Sequence, residues 1–136
     1  MTKVLVLCTG NSCRSQMAEG YLRHFGPDLE IYSAGVEVHG VNPRAIAIMS
    51  EDSIDISGHT SNHVDEYNEI DFDYVITVCD HAQERCPVFP SNASKLHHNF
   101  PDPAKATGSE AQIAASFRNT RNLIRDYCKD FVTNLK

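Results

Sequence analysis

The stretch VLVLCTGNSCRSQMAE, residues 4–19, decides the fold class and locates the candidate site. It opens with four apolar residues, which is typical of a strand that is buried on both faces. The apolar run ends on Cys8, a loop of small and polar residues follows, and Met17 and Ala18 begin a helical pattern that Gly26 ends. A strand, a polar loop and a helix in this order predict an α/β fold with the loop at the carboxyl end of a strand.

Strands and helices continue to alternate along the chain. Residues 29–33, 73–79 and 95–100 have the composition of strands, and Pro43 can open a helix that reaches about residue 51. A long C-terminal helix is predicted from Ser109 to Leu135. Its apolar residues recur at helical intervals and are Ile113, Phe117, Leu123, Ile124, Tyr127 and Phe131. This alternation predicts a parallel sheet with helices packed against it.

The composition fits a single domain of residues 1–136 with one core. The net charge of -6 argues against a nucleic-acid-binding protein, because such proteins normally present a basic face. It also means that an anionic substrate must be attracted by local groups rather than by the overall field. No apolar run approaches the length of a membrane helix, and the N-terminus lacks a signal-peptide pattern, so we expect a cytoplasmic protein.

Five cysteines stand at positions 8, 13, 79, 86 and 128. In a reducing compartment they are expected to be thiols rather than a disulfide framework. The two close pairs, Cys8 with Cys13 and Cys79 with Cys86, do not have the spacing of zinc ligands. Both strongly apolar strands end on a cysteine, Cys8 and Cys79, which predicts two thiols at the edge of the sheet where ligands bind. We expect Cys128 to be part of the core.

The loop after Cys8 has the features of an anion-binding cradle. Its amides can point inward beside the N-terminus of the following helix, and the Arg14 guanidinium offers a planar fork that suits a tetrahedral oxyanion. The predicted oxyanion-binding residues are Thr9, Gly10, Asn11, Ser12, Cys13 and Arg14. We expect this field to lower the pKa of Cys8, giving a nucleophilic thiolate, and Ser15 to donate a hydrogen bond to it. The alternative is a cysteine that is merely buried at a strand end.

Asp102 lies between two prolines in the segment FPDPA, residues 100–104. Attack on a phosphate-like centre needs a general acid for the departing oxygen, and Asp102 can supply it. The segment is equally typical of a turn, in which the aspartate would only bind the backbone. Spacing alone leaves both interpretations open.

Five motifs together resemble the low-molecular-weight protein tyrosine phosphatase superfamily, and more narrowly its thioredoxin-coupled arsenate reductase branch. They are CTGNSCRSQMAEG at 8–20, YSAG at 32–35, HGVNP at 39–43, DISGHTS at 55–61 and DPA at 102–104. The resemblance covers nearly the whole chain. It implies a four-stranded parallel sheet flanked by helices, with Cys8 as the nucleophile, Arg14 and the loop amides as oxyanion ligands, and Asp102 as the acid.

The resemblance implies that the segment CDHAQERCP, residues 79–87, distinguishes a reductase from a phosphatase. In the implied relay Cys8 attacks arsenate, and Cys79 attacks the Cys8 sulfur and releases arsenite. Cys86 then attacks Cys79, and thioredoxin reduces the resulting disulfide. The resemblance thus implies a monomeric arsenate reductase of arsenical resistance, with phosphate and sulfate as competing oxyanions.

Some members of this branch bind a potassium ion beside the loop, and no tightly bound cofactor is otherwise implied. The matching positions here are Asn11, Glu19, Ser33 and Asn62. The last of these is an aspartate in other members, so this chain has one carboxylate fewer at the predicted site.

Two other functions remain open at this point. A low-molecular-weight protein tyrosine phosphatase would need Cys8, Arg14 and Asp102 but neither Cys79 nor Cys86. A non-catalytic thiol sensor or metal-binding protein would need the thiols but not Arg14.

Overall fold

A computed structural model describes residues 2–80 and 93–135, and the structural statements below concern those residues. Four parallel strands form one sheet in the spatial order β2-β1-β3-β4. The strands are β1, Lys3–Cys8; β2, Glu30–Gly35; β3, Tyr74–Thr77; and β4, Ser94–His97. The predicted four-stranded parallel sheet is therefore confirmed, with β1 and β3 in its interior.

Three helices accompany the sheet in the described part of the chain. They are α1, Arg14–Phe25; α2, Pro43–Glu51; and α3, Glu110–Leu135. Two single turns of 3₁₀ helix, Val64–Tyr67 and Pro103–Lys105, lie in the connecting loops. None of the described helices has both the length and the hydropathy that a membrane span requires.

β1 is buried on both faces, as its apolar sequence predicts. Successive side chains of a strand point to opposite faces, so Val4 and Val6 pack in the larger core together with α1 and α3. Leu5 and Leu7 pack in a smaller core on the other face of the sheet. This burial fixes the end of β1, and with it Cys8, at the edge of the sheet where the following loop begins.

Three predicted boundaries shift by a few residues at the carboxyl edge of the sheet. β2 ends at Gly35 rather than at residue 33. β3 ends at Thr77, so Cys79 lies two residues beyond the strand rather than at its end. The N–H of Val78 still donates to the carbonyl oxygen of Leu7 at 2.9 Å. The chain therefore stays beside β1 after the regular ladder ends. β4 ends at His97 rather than at residue 100.

One of the apolar residues predicted for the buried face of α3 lies on its exposed side. Leu123 is 51% exposed, although its type places it with the apolar residues. Thr120, Ile124 and Cys128 are buried because they recur at intervals of four residues along the face that packs against α1. Cys128 is therefore a core residue, as expected.

The chain after β2 runs along the outside of the loop that follows β1. We call residues 36–42 the strap; they have no regular secondary structure. Gly35, just before the strap, allows the two backbones to approach closely. A Cβ atom at this position would lie 2.8 Å from the carbonyl oxygen of Thr9 and 2.7 Å from the nitrogen of Asn11. Both atoms belong to the backbone, so neither can rotate away from a larger residue.

We predict that Gly35→Ala lowers the free energy of unfolding by about 1–3 kcal/mol, because the added methyl group overpacks the contact between the strap and the loop. Chemical denaturation of the two proteins measures the difference. Gly58→Ala is the matched control, since a Cβ atom there meets nothing within 4 Å. Equal stability of Gly35→Ala and the wild type would contradict the close approach of these backbones.

Candidate active site

The loop after β1 is held in shape through its backbone carbonyl groups. The carbonyl oxygens of residues 8–13 all accept hydrogen bonds of 2.8–3.3 Å from groups outside the cradle. The donors are the backbone N–H groups of Val36, Glu37, His39, Asn42 and Met17, the side-chain amide of Gln16 and the hydroxyl of Ser61. Four of these seven donors belong to the strap. The strap therefore fixes the direction of the peptide groups of the loop.

These hydrogen bonds leave the amides of the loop for a ligand. In a trans peptide group the C=O and N–H bonds point in opposite directions. Because the carbonyl groups are directed outward, the N–H groups of the same peptides are directed toward the inside of the loop. α1 begins at Arg14, so the positive end of its dipole also faces this space. The arrangement is that of an anion-binding cradle, as the sequence predicts.

Asn11 holds the turn of the loop from within. Its backbone has a φ of 49°, a left-handed conformation that asparagine tolerates better than most residues. Its side-chain Nδ2 donates to Ser15 Oγ at 2.8 Å and to Ser33 Oγ at 3.0 Å. Its Oδ1 accepts from the N–H of Asn62 at 2.8 Å. Asn11 is completely buried, so its part in the site is to shape the loop.

Cys8 is buried at the base of the cradle, and its thiol lies beside that of Cys79. This contact, followed by burial, raises the pKa of Cys8 well above its usual range. Arg14 and the backbone N–H of Ser15 lower the pKa of Cys8, but their combined effect is smaller. The expected lowering of the Cys8 pKa is therefore wrong for this arrangement, because the loop field competes with a second thiol and with desolvation.

Arg14 is buried at the first position of α1, with 8% of its surface exposed. Its Nη1 donates to the carbonyl oxygen of Phe100 at 3.2 Å, and its Nη2 lies 3.6 Å from Asp102 Oδ2. Its Nε is buried and has no hydrogen-bond partner among the described residues. A buried donor without a partner is costly, so this N–H is available to a bound oxyanion.

Asp102 caps a turn with one of its carboxylate oxygens and faces Arg14 with the other. Its Oδ1 accepts from the N–H of Ala104 at 3.0 Å and caps the 3₁₀ turn that follows, which is the turn interpretation. Its Oδ2 faces Arg14 across the cradle, and its side chain is 24% exposed. The turn therefore holds one carboxylate oxygen while the other remains close to the anion-binding space.

A cavity of about 400 Å³ opens over Cys8. Its lining residues are Cys8, Thr9, Gly10, Ser12, Cys13, Arg14, Glu37, His39, Asp102, Ala104 and Lys105. Sequence reasoning missed the three charged or polar residues at its mouth, Glu37, His39 and Lys105. His39 packs over Gly10, where a Cβ atom would collide with the imidazole ring. The HGVNP motif after β2 was the signal that pointed to this segment.

The other cysteines have different positions relative to the cavity. Cys79 is buried, contacts Cys8, and has its Sγ 3.2 Å from Thr9 Oγ1. Cys13 immediately precedes α1 and is buried, and burial raises the pKa of its thiol to about 11. None of the four described cysteines forms a disulfide. Cys86, the third thiol of the implied relay, lies outside the described residues.

The four residues of the implied potassium site lie together, but their polar groups bind one another. Ser33 Oγ donates to Glu19 Oε1 at 2.6 Å and accepts from the Asn11 amide. The Asn11 oxygen is bound by the N–H of Asn62. Arg23 Nε lies 2.8 Å from Glu19 Oε2 and supplies a positive charge. This arrangement offers no free set of oxygen ligands, so the residues do not fit potassium and no chemical step is assigned to it.

Metal ligands of other kinds are not grouped in the part of the chain that the structure describes. There, no three side chains of His, Cys, Asp or Glu cluster as a metal site would require.

The fold and the cradle have close counterparts among known proteins. Residues 3–136 match the sequence profile of the low molecular weight phosphotyrosine protein phosphatases, and the chain belongs to that family. It is 47% identical over 129 residues to an arsenate reductase of Halalkalibacterium halodurans, covering 94% of this chain and 93% of the relative. It is 43% identical over 129 residues to an arsenate reductase of Bacillus subtilis, again covering 94% of this chain and 93% of the relative.

Solved structures of arsenate reductases also superpose on this chain over its whole length. An arsenate reductase in the oxidized state superposes with a TM-score of 0.85 at 30% identity, and all of both chains is covered. An arsenate reductase in the phosphate-binding state superposes with a TM-score of 0.81 at 32% identity, also over all of both chains. The chain is thus similar over its full length to reductases that share the phosphatase fold.

We predict that inorganic phosphate protects Cys8 against alkylation, because the oxyanion fills the cradle and contacts the Arg14 guanidinium. Phosphate should also raise the melting temperature, since it binds only the folded state. The measurement is the rate of Cys8 modification by iodoacetamide, followed by peptide mass spectrometry with and without an excess of phosphate.

Arg14→Ala should lose this protection, whereas Arg125→Ala, which removes an arginine of α3 that does not line the cavity, should keep it. Identical alkylation rates with and without phosphate in the wild type would contradict a preformed cradle.

Proposed function

We propose that this protein is an enzyme that reduces arsenate to arsenite, with Cys8 as the nucleophile and Cys79 as the second thiol. The observation that carries the proposal is the position of the Cys79 thiol beside Cys8 at the base of an oxyanion cradle, close enough to raise the pKa of Cys8. Reduction of arsenate takes two electrons, and two thiols in contact can supply them by forming one disulfide. The names of the full-length relatives support the same activity.

In the first step arsenate occupies the cradle, and the loop amides and Arg14 bind its oxygens. Cys8 loses its proton and its sulfur attacks arsenic, forming an S–As bond. Because the pKa of Cys8 is raised, its thiol is still protonated when arsenate binds. An oxygen of the bound arsenate accepts this proton. Asp102, in its protonated form, gives a proton to the departing oxygen, which leaves as water.

In the second step the Cys79 thiol loses its proton, which returns to Asp102, and the Cys79 sulfur attacks the sulfur of Cys8. The new S–S bond forms as the S–As bond breaks, and the electron pair of the broken bond goes to arsenic. Arsenic(V) becomes arsenic(III) and arsenite leaves, while the two thiols are oxidised to a disulfide. Overall, arsenate and two thiols give arsenite, one disulfide and water, so atoms and electrons balance.

Regeneration needs an external dithiol. We propose that Cys86 attacks Cys79 and that thioredoxin reduces the Cys79–Cys86 disulfide, on the strength of the resemblance described above. Glutaredoxin or a low-molecular-weight thiol is the alternative reductant. The cytoplasmic location and the monomeric state remain predictions from the sequence.

The competing function is hydrolysis of a phosphate ester, which the family name describes. Cys8, Arg14 and Asp102 would be sufficient for it, so these residues do not distinguish the two activities. The cavity lining favours the inorganic oxyanion. No aromatic side chain is among the described residues that line it, apart from the imidazole of His39, whereas charged and polar side chains surround its mouth. Cys79, which hydrolysis does not need, is the residue that separates the two functions.

The test is a coupled assay that follows arsenate-dependent oxidation of NADPH in the presence of thioredoxin and thioredoxin reductase. We expect steady turnover by the wild type, and no turnover above background by Cys8→Ser or Cys79→Ser, because each lacks one of the two thiols. Cys128→Ala is the matched control: it also removes a buried cysteine, but one that lies in the core. It should remain active once its folding is verified.

Hydrolysis of an aryl phosphate is measured on the same proteins. Steady hydrolysis by both the wild type and Cys79→Ser, without arsenate turnover by the wild type, would assign the chain to the phosphatases instead. Arsenate turnover by Cys79→Ser at the wild-type rate would contradict the role given to the second thiol.

A further inference from the structure

The residue after Cys79 is held in place by two hydrogen bonds. The carboxylate Oδ1 of Asp80 lies 2.7 Å from His97 Nε2. The backbone N–H of Asp80 donates to Asn99 Oδ1 at 3.2 Å. Both partners belong to β4 or to the segment just after it. Asp80 is therefore tied to the edge strand of the sheet through its side chain and its main chain.

The His97 ring is itself fixed at its other nitrogen. His97 Nδ1 lies 2.7 Å from the hydroxyl oxygen of Thr77, which is buried at the end of β3. A carboxylate can only accept, so Nε2 carries the proton toward Asp80. Nδ1 forms the second hydrogen bond with the hydroxyl of Thr77, which also lies 3.4 Å from the carbonyl oxygen of Leu96. Both ring nitrogens of His97 are thus held by groups on opposite sides of the ring.

The residue before Cys79 is fixed as well. The N–H of Val78 donates to the carbonyl oxygen of Leu7, and its own carbonyl oxygen accepts from the N–H of Phe100 at 3.0 Å. Cys79 thus stands between two anchored residues. Its Sγ faces Thr9 Oγ1 at 3.2 Å and contacts the Cys8 thiol.

We infer that Asp80, His97 and Asn99 form a clasp that positions Cys79 for its attack on the sulfur of Cys8. The three are positioning residues, since none of them lines the cavity over Cys8. The inference rests on the proposed function, because positioning of Cys79 matters only if its sulfur attacks Cys8. None of the hydrogen bonds that hold the carbonyl groups of residues 8–13 involves the clasp, so we expect binding of the oxyanion to be separate from it.

The physical reason is the narrow geometry of a disulfide. Its two Cα atoms must stand about 4.4–6.8 Å apart, and small errors in the position of a reacting group slow a reaction strongly. A thiol on an unanchored loop would have to find this geometry from many conformations. Because the residues on both sides of Cys79 are fixed, Cys79 has few conformations available even before the S–As adduct forms.

A purely structural role is a weak explanation for the Asp80–His97 pair. The Asp80 side chain is 66% exposed, and a hydrogen bond to a carboxylate that stays in contact with water contributes little to global stability. Substitutions of Asp80 are therefore expected to leave the fold intact, which makes the inference testable by kinetics.

The experiment is a single turnover of the reduced protein, in excess over arsenate and without thioredoxin, with arsenite measured after rapid quenching. Asp80→Ala and His97→Phe remove the contact, and each should slow arsenite release about tenfold or more. Asp80→Asn keeps an acceptor oxygen and His97→Gln keeps an N–H donor, so both should recover much of the rate. The effect of the double variant Asp80→Ala/His97→Phe should resemble that of either single one, because both break the same contact.

Binding and stability are measured alongside the rate. The rise in melting temperature with inorganic phosphate should be unchanged in all four single variants, since the cradle is intact. His24→Ala and Asp130→Asn, which change an exposed histidine and an exposed aspartate elsewhere, should release arsenite at the wild-type rate.

Two results would overturn the clasp. One is release of arsenite by Asp80→Ala and His97→Phe at the wild-type rate. The other is equal slowing of the conservative and the disruptive variants. Failure of the wild type to release any arsenite would instead refute the proposed function, so the two failures are distinguishable.

Discussion

The site depends on the outward hydrogen bonding of the backbone carbonyl groups of residues 8–13. The strap and α1, which includes Gln16, together bind all six of these oxygens, and this directs the amides to the inside of the loop. This constraint determines the position of Cys8 at the base of the cradle and of Arg14 at its side. It also explains the glycine at position 35, because the strap can reach the loop only where no side chain separates the two backbones.

The same constraint accounts for an anion site in an acidic protein. The chain carries a net charge of -6, so its overall field repels an oxyanion. The loop amides, the N-terminus of α1 and the buried Arg14 supply a local positive potential that water screens poorly. The field does not make Cys8 a ready thiolate, however, because a buried thiol in contact with Cys79 holds its proton more firmly than an exposed one. Cys79 therefore supplies the second thiol and at the same time raises the pKa of Cys8.

The sequence predicts the elements of this protein better than it predicts their contacts. The apolar run before Cys8 and the helical periodicity after it were sufficient for β1, for α1 and for the cradle, since these depend on neighbouring residues. The raised pKa of Cys8 was not predictable, because its main cause is a residue that lies far along the chain and joins it only in the folded sheet. The position of Leu123 on the exposed side of α3 likewise depends on how that helix is rotated against α1. Asp102 could not be assigned from spacing because it both caps a turn and faces Arg14.

The central claim is that Cys8 and Cys79 act as one two-electron unit at the oxyanion cradle. The most direct measurement is peptide mapping of Cys86→Ser after it has reacted with arsenate in the absence of any reductant. Without the third thiol the reaction should stop after one turnover. The account predicts one arsenite released for each protein and a disulfide that joins the peptides of Cys8 and Cys79. Arsenite release without that disulfide, or a disulfide that joins Cys8 to Cys13, would contradict it.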